Sequence, residues 1–366
     1  MMALDYETPQ RIARLTPLAD LQGRIDGVKP VPVRGAETGS ALGRILAQDV
    51  TAPADAPLVA LALRDGFAVR SERTQDASSY APILLNEPPQ RVDAGEPISA
   101  DCDAVLPLDA IENGQVLASV TLGEGVLARG GDAASGQPLR RAGQRLRVSD
   151  LAIFASLGIA EMRIREPRIW LVRAAANATA SASAALLAAQ LTAEGAEVFS
   201  DDDLEAALRD DTADAVIGVG GTGSGRQDDA VRVLKRDGEL MFHGIGLAPG
   251  ETSAFGLAGG RPVLLLPGQI DAALAGWLVL GKRLIRRLSG RSDDDSPLVA
   301  TLLRKVNSTI GIADLVPVRR NGNAVEPLAS GHLPLSVLTR ADGWILVPAD
   351  SEGYPAGATV SVRPLS

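Results

Sequence analysis

Five glycines fall within residues 218–225, and two aspartates follow at 228 and 229. The apolar run 215–219 before them has the length and flanks of a buried strand. Beyond them Val231 and Leu234 share one helical face, and Gly238 is placed to end that helix. A strand that becomes a helix through bare backbone aims amide N–H groups and the positive end of a helix dipole at one spot. The chemistry on offer is the binding of phosphate or another oxyanion, since a tight turn alone would need only one or two glycines. Asp228, expected in the first turn of a helix over 227–237, could hold a magnesium ion against that phosphate. The same carboxylate could instead do no more than offset the helix dipole.

The loop does not have the Walker form, because Arg226-Gln227 stands where Lys-Ser/Thr is required. Residues Gly218 to Gly223 satisfy G-x-G-x-x-G, but a dinucleotide site also needs an acid closing the next strand. Glu239 has the spacing yet opens the strand expected at 240–243. Other chemistries are short of residues. His243 and His332 are the only histidines and Cys102 the only cysteine, which removes intrachain disulfides and Cys- or His-rich metal centres. His243, at a strand end, reads as a hydrogen-bonded interior residue. No G-x-S-x-G nucleophile elbow occurs at a strand end.

The elements that must position the loop follow from pattern. Residues 10–50 read as helix in two pieces, the second from Leu42, Ile45 and Leu46. Short β-like runs broken by Pro, Gly, Asn and Asp fill 53–143, including 66–70, 83–85, 104–108 and 116–122. A helix is expected at 149–157. Strands at 168–173, 196–199, 214–219, 240–243 and 263–266 then alternate with helices at 181–193, 203–210, 227–237 and 270–288. Such alternation implies a mostly parallel sheet with helices on both faces, whose ligands bind at the strands' carboxyl ends. The loops holding Pro249-Gly250 and Pro267-Gly268 fall there. A polar run, 291–297, reads as a linker to a small all-β terminal domain.

The 366 residues suffice for two to four domains; 46% are apolar and 22% charged, as in soluble globular proteins. A net charge of −9 argues against nucleic acid and anionic membranes as partners. No signal peptide is expected, and the most apolar long window, 262–281, is interrupted by Gln269 and Asp271, so a cytoplasmic location is expected.

Taken together, these pieces resemble the molybdopterin molybdenumtransferase family, which includes the E domain of gephyrin. Leu46-Ala-Gln-Asp-Val50 and Arg64-Asp-Gly-Phe-Ala-Val69 are similar to its Leu-Ala-x-Asp-Val and Met-Asp-Gly-Tyr-Ala-Val. Arg129-Gly-Gly-Asp132 resembles Arg-Gly-Glu-Asp, and Gly220 to Asp228 resembles Gly-Gly-Val-Ser-x-Gly-x-x-Asp. Ala248-Pro-Gly-Glu251 and Leu266-Pro-Gly-Gln269 resemble Lys-Pro-Gly-Lys and Leu-Pro-Gly-Asn. The matches run colinearly from about residue 40 to 348.

The resemblance implies an α/β plus β multidomain chain. A helical linker domain would span 1–52 and 144–166, and an inserted β-domain 53–143. A three-layer α/β molybdopterin-binding domain would occupy 167–290, and a C-terminal β-domain 291–366. It implies a homodimer that inserts molybdate into adenylylated molybdopterin and releases AMP, with Mg2+ present. Cofactor contacts would come from Gly220, Gly221, Thr222, Gly223, Ser224, Gly225, Pro249, Gly250, Pro267 and Gly268. Asp228 would serve the cation, while Asp65 and Asp132 would act across the dimer.

Several family charges are absent. The family's Thr-Gly-Asp-Glu falls on Ala174 to Asn177, leaving Asp201, Asp202 and Asp203 as the remaining acids, with Asp202 as the second expected metal ligand. Its two lysines become Ala248 and Glu251, its Asn-Pro becomes Gln269-Ile270, and one Thr becomes Ala94. Each lost charged hydrogen bond should weaken polyanion binding by ~1–3 kcal/mol. Two functions therefore stand side by side: a diverged molybdate-inserting enzyme, and a non-catalytic cofactor-binding protein or partner in molybdoenzyme maturation.

Overall fold

The structure is a computed structural model describing residues 10–292 and 297–365. The expected linker, 291–297, lies largely outside the described residues, as does the start of the chain where no signal peptide is expected. Two compact units are present. One holds the described parts of Met1–Gln48, Ala142–Arg147 and Arg163–Ser366; the other holds Asp49–Arg141 and Val148–Met162.

The first unit is built on a six-stranded sheet. Strands β1 (Arg168–Arg173), β2 (Glu197–Asp201), β3 (Ala215–Val219), β4 (Glu239–His243), β5 (Ala254–Ala258) and β6 (Arg261–Leu266) lie in the order β2-β1-β3-β6-β5-β4. The pairs β1–β2, β1–β3 and β3–β6 are parallel, whereas β5 and β4 continue the sheet antiparallel. Every residue of β3 is buried. Ala215, Ile217 and Val219 join a core with Leu187, Leu191 and Trp277, while Val216 joins the opposite core with Leu204, Leu208 and Leu234. That alternation shows helices covering both faces. They are α1 (Leu18–Asp26), α2 (Ala178–Ala193), α3 (Leu204–Arg209), α4 (Ala230–Asp237), α5 (Ile270–Gly276) and α6 (Lys282–Ser289).

A π-helical segment, Trp277–Gly281, makes α5 and α6 continuous, as expected for 270–288. A Cβ at Gly281 would stand 2.3 Å from the Trp277 ring, so the helix accommodates its largest side chain only over a glycine. Among the described residues no helix is long and apolar enough to cross a membrane.

Two expectations need correction. Residues 41–50 are not helical: they form the short strands Ile45–Leu46 and Val50–Thr51, and Leu46 pairs with Ile164. Gly43 takes φ 76° and Leu42 is half exposed, so the apparent helical face was never continuous in space. Strand β5 was not anticipated. Its middle residue is Gly256, where a Cβ would meet the Glu239 carbonyl oxygen at 2.2 Å, and glycine-broken runs read as loops.

In the same unit the strands Leu298–Leu302, Ala313–Asn321, Ala324–Pro327, Gly343–Val347 and Thr359–Pro364 close into a ring around Val316, Val318 and Ile345. The second unit is mainly β. Its strand Gly66–Val69 pairs with both Gln90–Val92 and Ala104–Pro107, and Gly66 is required where a Cβ would stand 2.0 Å from the Leu106 carbonyl oxygen. The expected run 116–122 contributes only Gln115–Val116 as strand.

Candidate functional site

Strand β3 ends at two glycines in the left-handed region, Gly220 at φ 91° and Gly221 at φ 69°. Neither position admits a side chain. A Cβ at Gly220 would lie 2.6 Å from Ala175 Cβ, and one at Gly221 would lie 3.0 Å from Ala230 Cβ. The carbonyl groups of the loop are held from behind. Gln10 Nε2 donates to Gly221 O at 3.0 Å and Gly223 O at 2.8 Å, while Gln10 Oε1 accepts the Arg232 amide at 3.1 Å. His243 Nε2 lies 3.0 Å from Thr222 O and donates to it. The Thr222 hydroxyl is shared with that of Thr252 at 2.9 Å. The amides of Gly221, Thr222 and Gly223 have no acceptor among the described residues.

Those residues line a cavity of about 530 Å³. Asn177, Thr179, Asp228, Glu251, Gly268 and Gln269 complete much of its wall. Asn177 caps α2 by accepting the Ala180 amide at 2.8 Å, and Ser183 fixes Gly268 by donating to its carbonyl at 2.9 Å. The N-termini of α2 and α5 thus face the same space as the glycine loop, an arrangement of backbone donors suited to oxyanions.

Asp228 differs from its expected setting. Helix α4 begins at Ala230, so Asp228 precedes it, and its Oδ2 accepts the Gly225 amide at 2.8 Å. An aspartate side chain offers the backbone an alternative to the helical ladder, which is why the helix starts late here. Next to it, burial pushes the Asp229 carboxyl above its usual range. Gly220, Gly221, Thr222, Gly223, Gly250, Pro267, Gly268 and Asp228 all line the cavity; Ser224, Gly225 and Pro249 do not.

Asp202 is not brought to this cavity. Both its carboxylate oxygens engage Arg173, Oδ1 at 2.9 Å, and it lines a different depression with Arg173 and Asp201. An ion-paired carboxylate beside a guanidinium is a poor cation ligand. Asp65 and Asp132 belong to the other unit. Both are exposed; Asp65 Oδ1 accepts the Ala94 amide at 2.8 Å, and the Asp132 backbone amide donates to Ala56 O at 2.9 Å.

Among the described residues the cavity wall carries two carboxylates, Asp228 and Glu251, and no lysine or arginine. Glu251 Oε2 accepts the Gly250 amide at 3.0 Å. Among the described residues no group of three or more His, Cys, Asp or Glu could hold a metal ion. Magnesium often keeps its waters and binds through one or two carboxylates plus substrate phosphates. Asp228 and Glu251 fit an ion of that kind, arriving with phosphate, and do not fit a site made by protein alone.

Three family models match consecutive parts of the chain. They are the MoeA N-terminal region (domain I and II) over residues 7–158, a "probable molybdopterin binding domain" over 171–287, and the MoeA C-terminal region (domain IV) over 299–365. The chain belongs to the MoeA-type molybdopterin molybdenumtransferase family. Molybdopterin molybdenumtransferase 2 of Mycobacterium tuberculosis is 26% identical over 89% of this chain and 93% of its own. Molybdopterin molybdenumtransferase of Synechococcus elongatus is 26% identical over 90% and 93%. The crystal structure of molybdopterin biosynthesis MoeA protein from Pyrococcus horikosii matches with a TM-score of 0.74 and 25% identity, covering 96% of this chain and 100% of that one. The multidomain α/β plus β architecture is that of MoeA proteins.

Sequence reasoning missed Gln10, Thr252 and the donor role of His243. Gln10 carried no signal, being a single polar residue 211 positions from the carbonyl it supports.

Proposed function

We propose that this MoeA-type protein acts in molybdenum cofactor biosynthesis by inserting molybdate into adenylylated molybdopterin with release of AMP. The observation that supports this reading is the set of amides at Gly221, Thr222 and Gly223, which have no acceptor among the described residues and belong to residues lining the cavity. They bind the phosphate oxygens, and the braces from Gln10 and His243 keep them oriented without reorganisation as charge develops. Asp228, with Glu251, would hold a magnesium ion accompanying the phosphate, and that ion would neutralise charge there. Thr222 and Thr252 hydroxyls add polar contacts beside the amides. Asp65 and Asp132 would act across a homodimer in the cytoplasm, and molybdoenzyme maturation proteins would receive the product.

A second reading is supported by the absence of lysine and arginine from the cavity wall: a protein that binds the pterin cofactor without turning it over. Incubation of purified protein with Mg2+, molybdate and adenylylated molybdopterin separates the two. AMP release, lost in Asp228→Asn, supports the enzyme. Saturable binding with no AMP supports the carrier.

A further inference from the structure

A second cavity of about 530 Å³ has the opposite electrostatic character. It is bounded by α1, by α6 and by the strands Gly343–Val347 and Thr359–Pro364 of the C-terminal ring. Among the described residues, Lys282, Arg283, Arg286, Arg287, Arg291 and Arg363 line it, against the carboxylates of Asp26 and Glu194. This concentration occurs in a chain of net charge −9.

The pattern of α6 produces it. Leu284, Ile285 and Leu288 are buried, which leaves Lys282, Arg283, Arg286 and Arg287 on the other face. Like charges four residues apart on a helix repel, so the helix itself gains nothing from stacking cations this way. The two acids are already engaged. Asp26 is bound through both oxygens by Arg283 at 2.7 and 2.5 Å, and that hydrogen bonding holds its carboxyl below the usual range. Glu194 meets Arg291 at 3.1 Å and Lys282 at 3.6 Å. Arg287 and Arg363 have no hydrogen-bonded acid among the described residues, and they give the wall positive charge of their own.

Arg363 is pre-positioned. Its guanidinium stacks 5.7 Å from the centroid of Trp344, a buried ring whose Nε1 donates to Pro364 O at 3.1 Å. A stacked guanidinium keeps its planar fork available for phosphate oxygens. Arg287 and Arg363 are both exposed, so a ligand reaches them without displacing the core.

We propose that this cavity is a second anion site, distinct from the glycine-lined one, and that it takes a phosphoanhydride such as pyrophosphate. Cations spread over more than one helical turn and an opposing strand suit an extended polyanion better than a single orthophosphate. The site requires no metal, because its cations come from the protein. The glycine-lined cavity has none, and its phosphate comes with magnesium.

The test is calorimetric titration of the full chain with inorganic pyrophosphate in EDTA at physiological salt. Wild type is expected to bind saturably, and Arg287→Gln/Arg363→Gln to lose about tenfold or more in affinity, equivalent to losing charged hydrogen bonds. Asp228→Asn is expected to bind as wild type, and orthophosphate more weakly than pyrophosphate. Single Arg287→Gln, with Arg363 and its stacking intact, provides the same comparison where the double variant folds poorly. No binding by wild type, or binding indifferent to the arginine variants, overturns the proposal. A change of affinity in Asp228→Asn, in either direction, would place the anion in the glycine-lined cavity and overturn it equally.

Discussion

The Gln10 side chain reaches Gly223 O at 2.8 Å across 213 positions of sequence, and a second hydrogen bond from the same nitrogen takes Gly221 O at 3.0 Å. One amide group therefore ties back two of the loop's carbonyls, and His243 holds a third. The amides of Gly221, Thr222 and Gly223 are left without acceptors among the described residues, in a loop that lines the cavity.

Replacing Gln10 with Ala removes both hydrogen bonds; Gly221 O keeps the Ala230 amide at 3.1 Å, but Gly223 O loses its donor. An unmade buried hydrogen bond costs ~1–3 kcal/mol. The expected outcome is weaker binding of AMP in the presence of Mg2+, by about tenfold or more, with a small change in thermal midpoint. Isothermal calorimetry beside a melting curve checks both; unaltered affinity would show that the loop holds its own orientation.

Glu251→Lys places a cation where the cavity has two carboxylates and no base. Charge-assisted hydrogen bonds to phosphate contribute ~1.5–3 kcal/mol. Affinity for AMP should rise about tenfold or more, and dependence on Mg2+ should fall. Titrations with Mg2+ and with EDTA read the two effects separately. A drop in affinity would mean that Glu251 itself serves the ligand.

Gly220→Ala combines a left-handed φ of 91° with a Cβ placed 2.6 Å from Ala175 Cβ. The strain and the clash together should cost ~1–3 kcal/mol of stability. Gly23→Ala in α1 is the internal control, because nothing lies within 4 Å of the added Cβ. That change should stabilise by ~0.5–1 kcal/mol, as alanine does in a helix. Urea denaturation of both variants measures the difference.

Burial pushes the Asp314 carboxyl up to about 6 from 3.8, opposed by the Gly331 amide and assisted by the charge of Glu251. The folded protein holds this proton more tightly than the unfolded chain. Its contribution is full below about pH 4 and is lost as pH rises through about 6. Asp314→Asn keeps an acceptor for Gly331 and removes the charge. Near neutral pH the variant should be more stable than wild type by ~1–3 kcal/mol, and the gain should vanish near pH 4. A gain independent of pH would contradict this assignment.

How much of this was legible in the sequence depended on what each residue interacts with. The strand at β3 and the glycines after it could be read because their constraint is local: a short continuous apolar run, then positions that exclude a Cβ. Asp228 was recognised, but its place was not. Whether an aspartate enters a helix or closes the preceding turn depends on the Gly225 amide 2.8 Å away. Asp202 was counted as a metal ligand because spacing cannot show that Arg173 already occupies it. Gln10 and Thr252 were invisible for the same reason, since their partners lie far along the chain. Residues 41–50 misled by offering three apolar residues at helical spacing, while Gly43 in the left-handed region directed them into strands.

The most direct test of the central claim is a crystal structure of the protein soaked with AMP and Mg2+. The account predicts phosphate oxygens within hydrogen-bond distance of the Gly221, Thr222 and Gly223 amides, with Asp228 on the cation side. A nucleotide bound elsewhere, with those amides facing only solvent, would contradict it.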